Sequence, residues 1–391
     1  MFSANLAEKF AQKETPFYYY DLDLLSRTLD KAKTAADLHG FHVHYALKAN
    51  FNTRVLDAIC LSGFGADCVS GNEVKRAIET GFVPEKIVFA GVGKADKEIR
   101  YALDHDIFSF NVESIQELKV INDLAASIGK RANVALRINP NVDAQTHRYI
   151  TTGLDENKFG ISQWELGDAV EAVRQCEYIT LTGIHFHIGS QITDLNVFKS
   201  LCVKVNELNN WFDERGFRLE VLNVGGGLGV DYHQPDTNDI PDFQSYFGIF
   251  ADFLDRKPGQ QVHFELGRAL VSQCGSLVSR VLYVKNGIKK NFLILDAGMT
   301  ELMRPALYQA YHHIERVAPP SAIALDEHMN YDIVGPICES TDCFGKEVTL
   351  PVSKRGDLIA IRTAGAYGEV MASHYNLRNE VRYLYSDEIN D

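Results

Sequence analysis

The sequence predicts an eight-stranded β/α barrel of the TIM type followed by a mainly antiparallel β domain, and three observations lead there. Apolar runs bounded by turn residues alternate with amphipathic helical stretches eight times between about residues 21 and 270. Strand alternating with helix calls for a parallel sheet covered on both faces, and eight such units in about 250 residues match a closed barrel. Beyond residue 270 the texture changes, with strand-like runs punctuated by Gly and Pro and no long helices between them. At 391 residues the chain also exceeds one compact core of average size. An open doubly wound sheet is the competitor. It carries its Gly-rich turn after the first strand, whereas Gly225, Gly226 and Gly227 follow the seventh.

Taken in order, residues 16–20 are extended and Tyr-rich, and residues 1–20 are expected to pack with the β domain, the tyrosines as an edge strand. Residues 22–38 show helical spacing, and a strand ending on Lys48 follows. The other barrel strands are expected at 65–69, 87–90, 107–112, 134–138, 181–188, 221–224 and 262–266. Ser70 with Glu73, Ser114 with Glu117 and Ser162 with Glu165 have the spacing of capping boxes, which open helices. The barrel is thus assigned to residues 21–270 and the β domain to 271–391, with strands at 276–284, 292–295, 331–334, 357–363 and 380–384.

Composition excludes several classes of function. A formal net charge of −13 without a Lys/Arg cluster opposes binding to nucleic acid. The partners expected are a small molecule and another copy of the chain. Seven cysteines, odd in number and without C-x-x-C spacing, fit a reducing compartment, and residues 1–8 carry neither a basic nor an apolar leader pattern. The expected location is the cytoplasm. A membrane span is not expected, because no window holds the ~18 consecutive apolar residues one needs.

In a β/α barrel the chemistry gathers at the carboxyl ends of the strands. Lys48 ends the first strand, His187, Gly189 and Ser190 the sixth, the three glycines the seventh, and Glu265, Gly267 and Arg268 the eighth. Most lysines after a strand are solvated loop residues. A desolvated one can shed its proton and form an imine with a carbonyl. Three consecutive glycines can bare backbone N–H groups for a phosphate, above all where a helix follows, although plain tight turns also use such runs. They do not complete a dinucleotide fingerprint, and Gly93-Lys94 is not part of a P-loop. His185 and His187 share one face of their strand; a metal site would need further ligands, so His187 is read as an aromatic platform and His185 as a core residue. Glu265 ends an apolar strand, where a carboxylate must pair or become neutral, and a protonated ring nitrogen would suit it. Lysine for an imine, glycines for a phosphate and an acid for a pyridinium are the three handles of pyridoxal 5'-phosphate.

With those residues in place, the chain resembles the fold-type III pyridoxal-phosphate decarboxylases. The resemblance rests on Tyr45-Ala46-Leu47-Lys48-Ala49-Asn50, Phe186-His187-Ile188-Gly189-Ser190-Gln191, Gly225-Gly226-Gly227-Leu228-Gly229, Glu265-Leu266-Gly267-Arg268-Ala269, Cys338-Glu339-Ser340 with Asp342, and Gly365-Ala366-Tyr367-Gly368. The most discriminating stretches are Arg137-Ile138-Asn139-Pro140 running on through Tyr149-Ile150-Thr151-Thr152-Gly153 to Asn157-Lys158-Phe159-Gly160-Ile161, and Arg304-Pro305-Ala306-Leu307-Tyr308.

The resemblance implies that Lys48 carries the cofactor, His187 stacks on its ring, and Ser190, Gly225, Gly226, Gly227 and Tyr367 hold its phosphate. Glu265 would pair with the ring nitrogen, with Leu266, Gly267 and Arg268 completing that end of the cofactor site. Arg268, Arg304 and Tyr308 would bind a distal carboxylate of the substrate and Glu339 a distal ammonium, and Tyr367 would touch substrate as well as cofactor. Cys338 would donate the proton after carbon dioxide leaves. In the family Cys338 and Glu339 serve the partner subunit's site, which implies a homodimer. Leu266 departs from the proline usual after the acid, which would have fixed a torsion.

The substrate implied is an amino acid with both a carboxylate and an ammonium at its far end. Sister enzymes acting on ornithine, arginine or a carboxylated polyamine have less use for Arg304, Tyr308 and Glu339 together. A pyridoxal-phosphate-binding regulator without turnover is the reading from another class, and retention of Lys48, Glu265 and Cys338 speaks against it. Alanine racemase, a neighbour by fold, would carry an arginine in place of Glu265.

Overall fold

The computed structural model describes residues 2–142, 158–318 and 327–389. The chain divides into two compact units, one of residues 28–229 and 242–270 and the other of residues 1–27, 230–241 and 271–391.

Strands are numbered along the chain, and β1 (Phe17–Tyr20) belongs to the second unit. In the first unit β2 (His42–Ala46), β3 (Gly65–Cys68), β4 (Ile87–Phe89), β5 (Ser109–Val112), β6 (Ala132–Arg137), β7 (Ile179–His185), β8 (Val221–Asn223) and β9 (Gln261–Leu266) close into a barrel. Every neighbouring pair is parallel, and β9 returns onto β2 with Glu265 opposite His44. All residues of β3, β4, β5 and β8 are buried, as expected of strands covered on both faces.

Element ends shift from their predicted places for local reasons. The strand expected at 107–112 begins only at Ser109, because Ile107 N–H closes the preceding helix onto Ala102 O and Phe108 N–H bonds Pro84 O. The strand ending at Lys48 stops at Ala46, and Lys48 sits in a single 3₁₀ turn, Leu47–Ala49. Two of the three capping boxes form only in half. Ser70 Oγ accepts the Glu73 N–H at 3.2 Å, but the Glu73 carboxylate reaches one residue further back, to Val69 N–H at 2.7 Å. Ser114 and Glu117 repeat the arrangement, with Glu117 on Glu113 N–H. In the third, Glu165 does accept from Ser162 N–H, at 3.1 Å.

In the second unit an eight-stranded sheet runs in the order β12 (Ile314–Val317), β15 (Leu358–Ile361), β10 (Gly275–Asn286), β11 (Asn291–Leu295), β13 (His328–Val334) and β14 (Cys343–Pro351), with β1 joined to β10 and to β16 (Arg382–Tyr385). β1 is therefore no edge strand: it pairs antiparallel with β10 and parallel with β16, which buries all four residues. β12 and β14 were missed by the sequence reading, β12 for its shortness and β14 because Gly345, Lys346 and Glu347 interrupt its apolar pattern. A helix at Ala4–Ala11 was also missed. It is capped by Ser3 and drops Ala7 and Phe10 into a cluster with Phe17, Tyr19, Val278 and Leu384.

Candidate active site

The carboxyl ends of the barrel strands carry the residues that the sequence singles out, and the YALKAN motif shows how one of them is set. Tyr45 Oη donates to Asn50 O at 2.8 Å, and Asn50 Oδ1 accepts Asn52 N–H at 2.8 Å, so the turn that presents Lys48 is tied at both ends. Leu47 and Ala49 are buried while Lys48 is half-buried. Gly267 passes directly against this turn. A β-carbon there would lie 3.0 Å from the Ala49 methyl and 3.2 Å from that of Ala46, which explains small residues on both sides of Lys48.

Glu265, at the end of β9, is buried and richly bonded. Its Oε1 accepts from Asn111 Nδ2 and Asn223 Nδ2, each at 2.7 Å, and its Oε2 lies 2.8 Å from His185 Nε2. Burial alone would raise the carboxyl's pKa; the charge and hydrogen bond of His185, with the charge of Lys48, outweigh it and hold the group well below the usual carboxylate range. An ionised carboxylate offers about four acceptor positions, and three are filled. The fourth, on Oε2, is open to one more donor.

His187 lies just past β7, half-buried, with Gly226 N–H 3.5 Å from its Nδ1. Burial, then the charges of Lys48 and Arg137, push its pKa well below the ordinary value, so the ring is neutral. Asp67 at the end of β3 behaves in the opposite sense. Burial and the nearby Glu265 charge raise its pKa well above normal against the pull of Lys48, and its Oδ1 has no hydrogen-bond partner. A neutral acid next to an ionised one is the arrangement expected where two carboxyls share a buried space.

The three glycines are required by close approach of backbone. A β-carbon on Gly225 would meet Phe186 O at 2.1 Å, and one on Gly226 would meet Glu265 O at 1.9 Å. Gly225 and Gly227 also take φ of 70° and 108°, which favour glycine. No helix opens directly after them; the next begins at Phe243, so the helix-dipole part of the phosphate argument falls away and the bare backbone remains. Ser190 Oγ accepts from Arg268 Nε at 3.2 Å and Nη2 at 3.0 Å, which brings two expected site residues together. Leu266 is buried and in register with Tyr45 as the last residue of β9.

Sequence reasoning placed His185 in the core but did not connect it to Glu265, and it missed Asn111, Asn223 and Asp67. All four lie near carboxyl ends of strands, a position that sequence marks without showing that their side chains turn toward Glu265. It also missed the buried pair of Arg137 Nη1 and Glu113 Oε1 at 2.6 Å. Glu113 further accepts Gly91 N–H at 3.1 Å and Gly160 N–H at 2.9 Å. This pair and the Ile138–Ile161 bridge draw the two ends of the long discriminating motif together. Tyr149, Ile150, Thr151, Thr152, Gly153 and Asn157 lie outside the described residues.

The second unit holds the remaining expected residues. Arg304 opens the helix Arg304–Tyr308 and is buried, with Nη1 3.0 Å from both Tyr232 Oη and His312 Nε2. Tyr308, one helical turn on, is half-buried. Tyr367 takes a left-handed φ of 56°, a sparsely populated conformation for a tyrosine. Cys338 and Glu339 are exposed on the loop between β13 and β14. Asp342 ties this loop down, accepting Met299 N–H at 2.6 Å and Ile337 N–H at 2.7 Å.

One lysine, a bonded and ionised acid, a neutral imidazole and three close-packed glycines gather at the barrel mouth, and these residues fit a pyridoxal cofactor. Residues 22–272 match the family model described as pyridoxal-dependent decarboxylase, pyridoxal binding domain. The chain belongs to the pyridoxal-dependent decarboxylase family. Its relatives there include the diaminopimelate decarboxylase of Bacteroides thetaiotaomicron, 55% identical over 383 residues with 98% of each chain covered. That of Helicobacter pylori is 41% identical over 380 residues, covering 97% of this chain and 92% of the relative. The crystal structure of Helicobacter pylori diaminopimelate decarboxylase complexed with L-lysine superposes with a TM-score of 0.91 at 39% identity, covering 98% of this chain and 94% of that one.

Proposed function

We propose that this protein removes the carboxylate at the D-centre of meso-2,6-diaminopimelate, giving L-lysine and carbon dioxide with pyridoxal 5'-phosphate as cofactor, the last step of lysine biosynthesis. The observation that carries the reading is the state of Glu265: ionised, fixed by three donors and left with one acceptor position, it suits a protonated ring nitrogen. The cofactor, when bound, supplies an electron sink for the pair left behind when the carbon–carboxylate bond breaks.

The chain's own residues do the rest. Lys48 offers the amine that holds the cofactor and yields to the substrate's amine. His187, being neutral, packs against the ring without opposing its positive charge, and Gly225, Gly226, Gly227, Ser190 and Tyr367 hold the phosphate. Arg268, Arg304 and Tyr308 bind the distal carboxylate, for which planar guanidinium forks are suited. Glu339 takes the distal ammonium. The Cys338 thiol gives its proton to the α-carbon in place of the departed carbon dioxide. The working form is a cytoplasmic homodimer in which Cys338 and Glu339 serve the site of the partner subunit.

The test is to offer the cofactor-loaded protein meso-diaminopimelate, ornithine, arginine and carboxynorspermidine side by side. Lysine and carbon dioxide in equal amounts from the first alone support the reading. Turnover of another of the four overturns the substrate, and turnover of none overturns the activity.

A further inference from the structure

Two successive residues of one turn each hold one of two successive residues of another. Tyr375 Oη donates to Glu339 Oε1 at 2.6 Å, and Asn376 Oδ1 accepts the Cys338 N–H at 3.2 Å. The turn that allows this, Tyr375–Leu377, carries left-handed φ values of 56° at Asn376 and 57° at Leu377. Asparagine tolerates that region, whereas leucine is disfavoured there. Leu377 is also almost fully exposed, so burial of its side chain does not account for the conformation. Non-glycine residues held in such conformations cluster where a backbone is kept for function.

The Cys338–Glu339 loop is fixed from below as well. Asp342 is buried, anchors Ile337 and Met299 through its carboxylate, and donates its own N–H to Glu339 O at 3.2 Å. Asp342 does not hold the Cys338 N–H or the Glu339 carboxylate, and these are the two groups that the Tyr375–Asn376 turn bonds. Tyr375 is 47% exposed, so a bond between it and the exposed Glu339 adds little stability. Its effect is orientation. The hydrogen bond to Glu339 raises the Tyr375 phenol above its ordinary value, so the phenol stays a donor.

We propose that Tyr375 and Asn376 are positioning residues for substrate recognition and protonation: Tyr375 occupies Glu339 Oε1 and turns Oε2 toward the substrate's distal ammonium, while Asn376 holds the backbone beneath the Cys338 thiol. This rests on the roles proposed above for Glu339 and Cys338. A carboxylate free to rotate would meet the ammonium in many orientations, and fixing one is a recognised source of affinity. The two bonds act on different steps, so their loss should separate in the kinetics.

The test compares steady-state kinetics of the cofactor-loaded Tyr375→Phe, Asn376→Gly and Glu339→Gln variants on meso-diaminopimelate and on 2-aminopimelate. The second compound keeps both carboxylates and lacks the distal amine. Tyr375→Phe is expected to raise KM for meso-diaminopimelate about tenfold, through loss of the fixed orientation of the Glu339 carboxylate, while leaving KM for 2-aminopimelate unchanged. Asn376→Gly keeps the left-handed backbone and removes the acceptor. It is expected to lower kcat several-fold on both substrates at constant KM, with a larger solvent deuterium isotope effect. An equal rise in KM for both substrates in Tyr375→Phe, or an unchanged kcat in Asn376→Gly, overturns the inference. If Glu339→Gln discriminates between the substrates and Tyr375→Phe does not, the inference fails and the role of Glu339 stands. If Glu339→Gln does not discriminate either, the role of Glu339 itself is wrong.

Discussion

His185 Nε2 lies 2.8 Å from Glu265 Oε2, with both side chains buried, although the two residues are 80 positions apart in sequence. The pair joins β7 to β9 through the barrel interior and accounts for an ionised acid where burial would otherwise favour a neutral one. Removing one partner of a buried pair leaves the other uncompensated. His185→Ala is expected to lower unfolding stability by on the order of 3 kcal/mol and to weaken cofactor binding. Urea unfolding and cofactor titration check both effects. An unchanged urea midpoint would mean that the pair does not stabilise the barrel.

Asp67 gives the complementary case. If it is a neutral acid in the folded protein, Asp67→Asn replaces like with like, and unfolding stability should stay within about 0.5 kcal/mol of the parent at pH 7. A loss of several kcal/mol in thermal or urea unfolding would show instead that Asp67 is ionised and paired with Lys48.

The barrel floor carries a pH dependence of its own. His44 Nε2 lies 2.8 Å from His263 Nδ1, and His44 Nδ1 lies 2.9 Å from Lys86 O. Burial lowers the pKa of His44 to about 4 and that of His263 well below its ordinary value. Both groups take up a proton on unfolding once the pH falls below about 6.5, so stability is full above that pH and declines toward pH 4. For His44 alone the loss between pH 7 and pH 5 is about 2 kcal/mol. The steepness of urea midpoint against pH in this window should be reduced in His44→Asn. An equal slope in parent and variant would assign the effect elsewhere.

Gly226→Ala places a methyl where Glu265 O stands, 1.9 Å from the ideal β-carbon. The strand must shift, and overpacking of this kind costs about 1–3 kcal/mol. The distorted glycine cradle is expected to lower cofactor affinity at least tenfold, read by equilibrium dialysis. Retained affinity would remove these glycines from the phosphate site.

Arg304→Lys keeps the charge and loses the planar guanidinium, whose Nη1 meets both Tyr232 and His312. KM for meso-diaminopimelate should rise tenfold or more while cofactor binding is unchanged. Equal kinetics in the variant would exclude Arg304 from carboxylate recognition.

Much of the barrel was legible because its information is local. Apolar runs, Ser-x-x-Glu starts and Gly ends repeat with a period that only a β/α succession explains, and Lys48, Ser190, Gly225 and Glu265 fall at strand ends by counting alone. The partners of Glu265 were not legible, because Asn111, His185 and Asn223 come from three different strands and nothing in their local sequence marks the direction of their side chains. The second unit was read less completely for the same reason. β14 runs through Gly345, Lys346 and Glu347, and its register is set by pairing with β13 rather than by its own alternation. Tyr375 and Asn376 stand in a polar stretch without periodicity, and only their bonds to Glu339 and Cys338 distinguish them.

The most direct test of the central claim is the protonation state of the cofactor's ring nitrogen, read by nuclear magnetic resonance with that nitrogen isotope-labelled and bound to the protein. A ring nitrogen protonated in the parent at pH 7, and deprotonated or hydrogen-bonded only weakly in Glu265→Gln, is the result expected from an ionised Glu265 with one acceptor position open. An unprotonated nitrogen in the parent would contradict the account, because the barrel mouth would then lack the electron sink that decarboxylation requires.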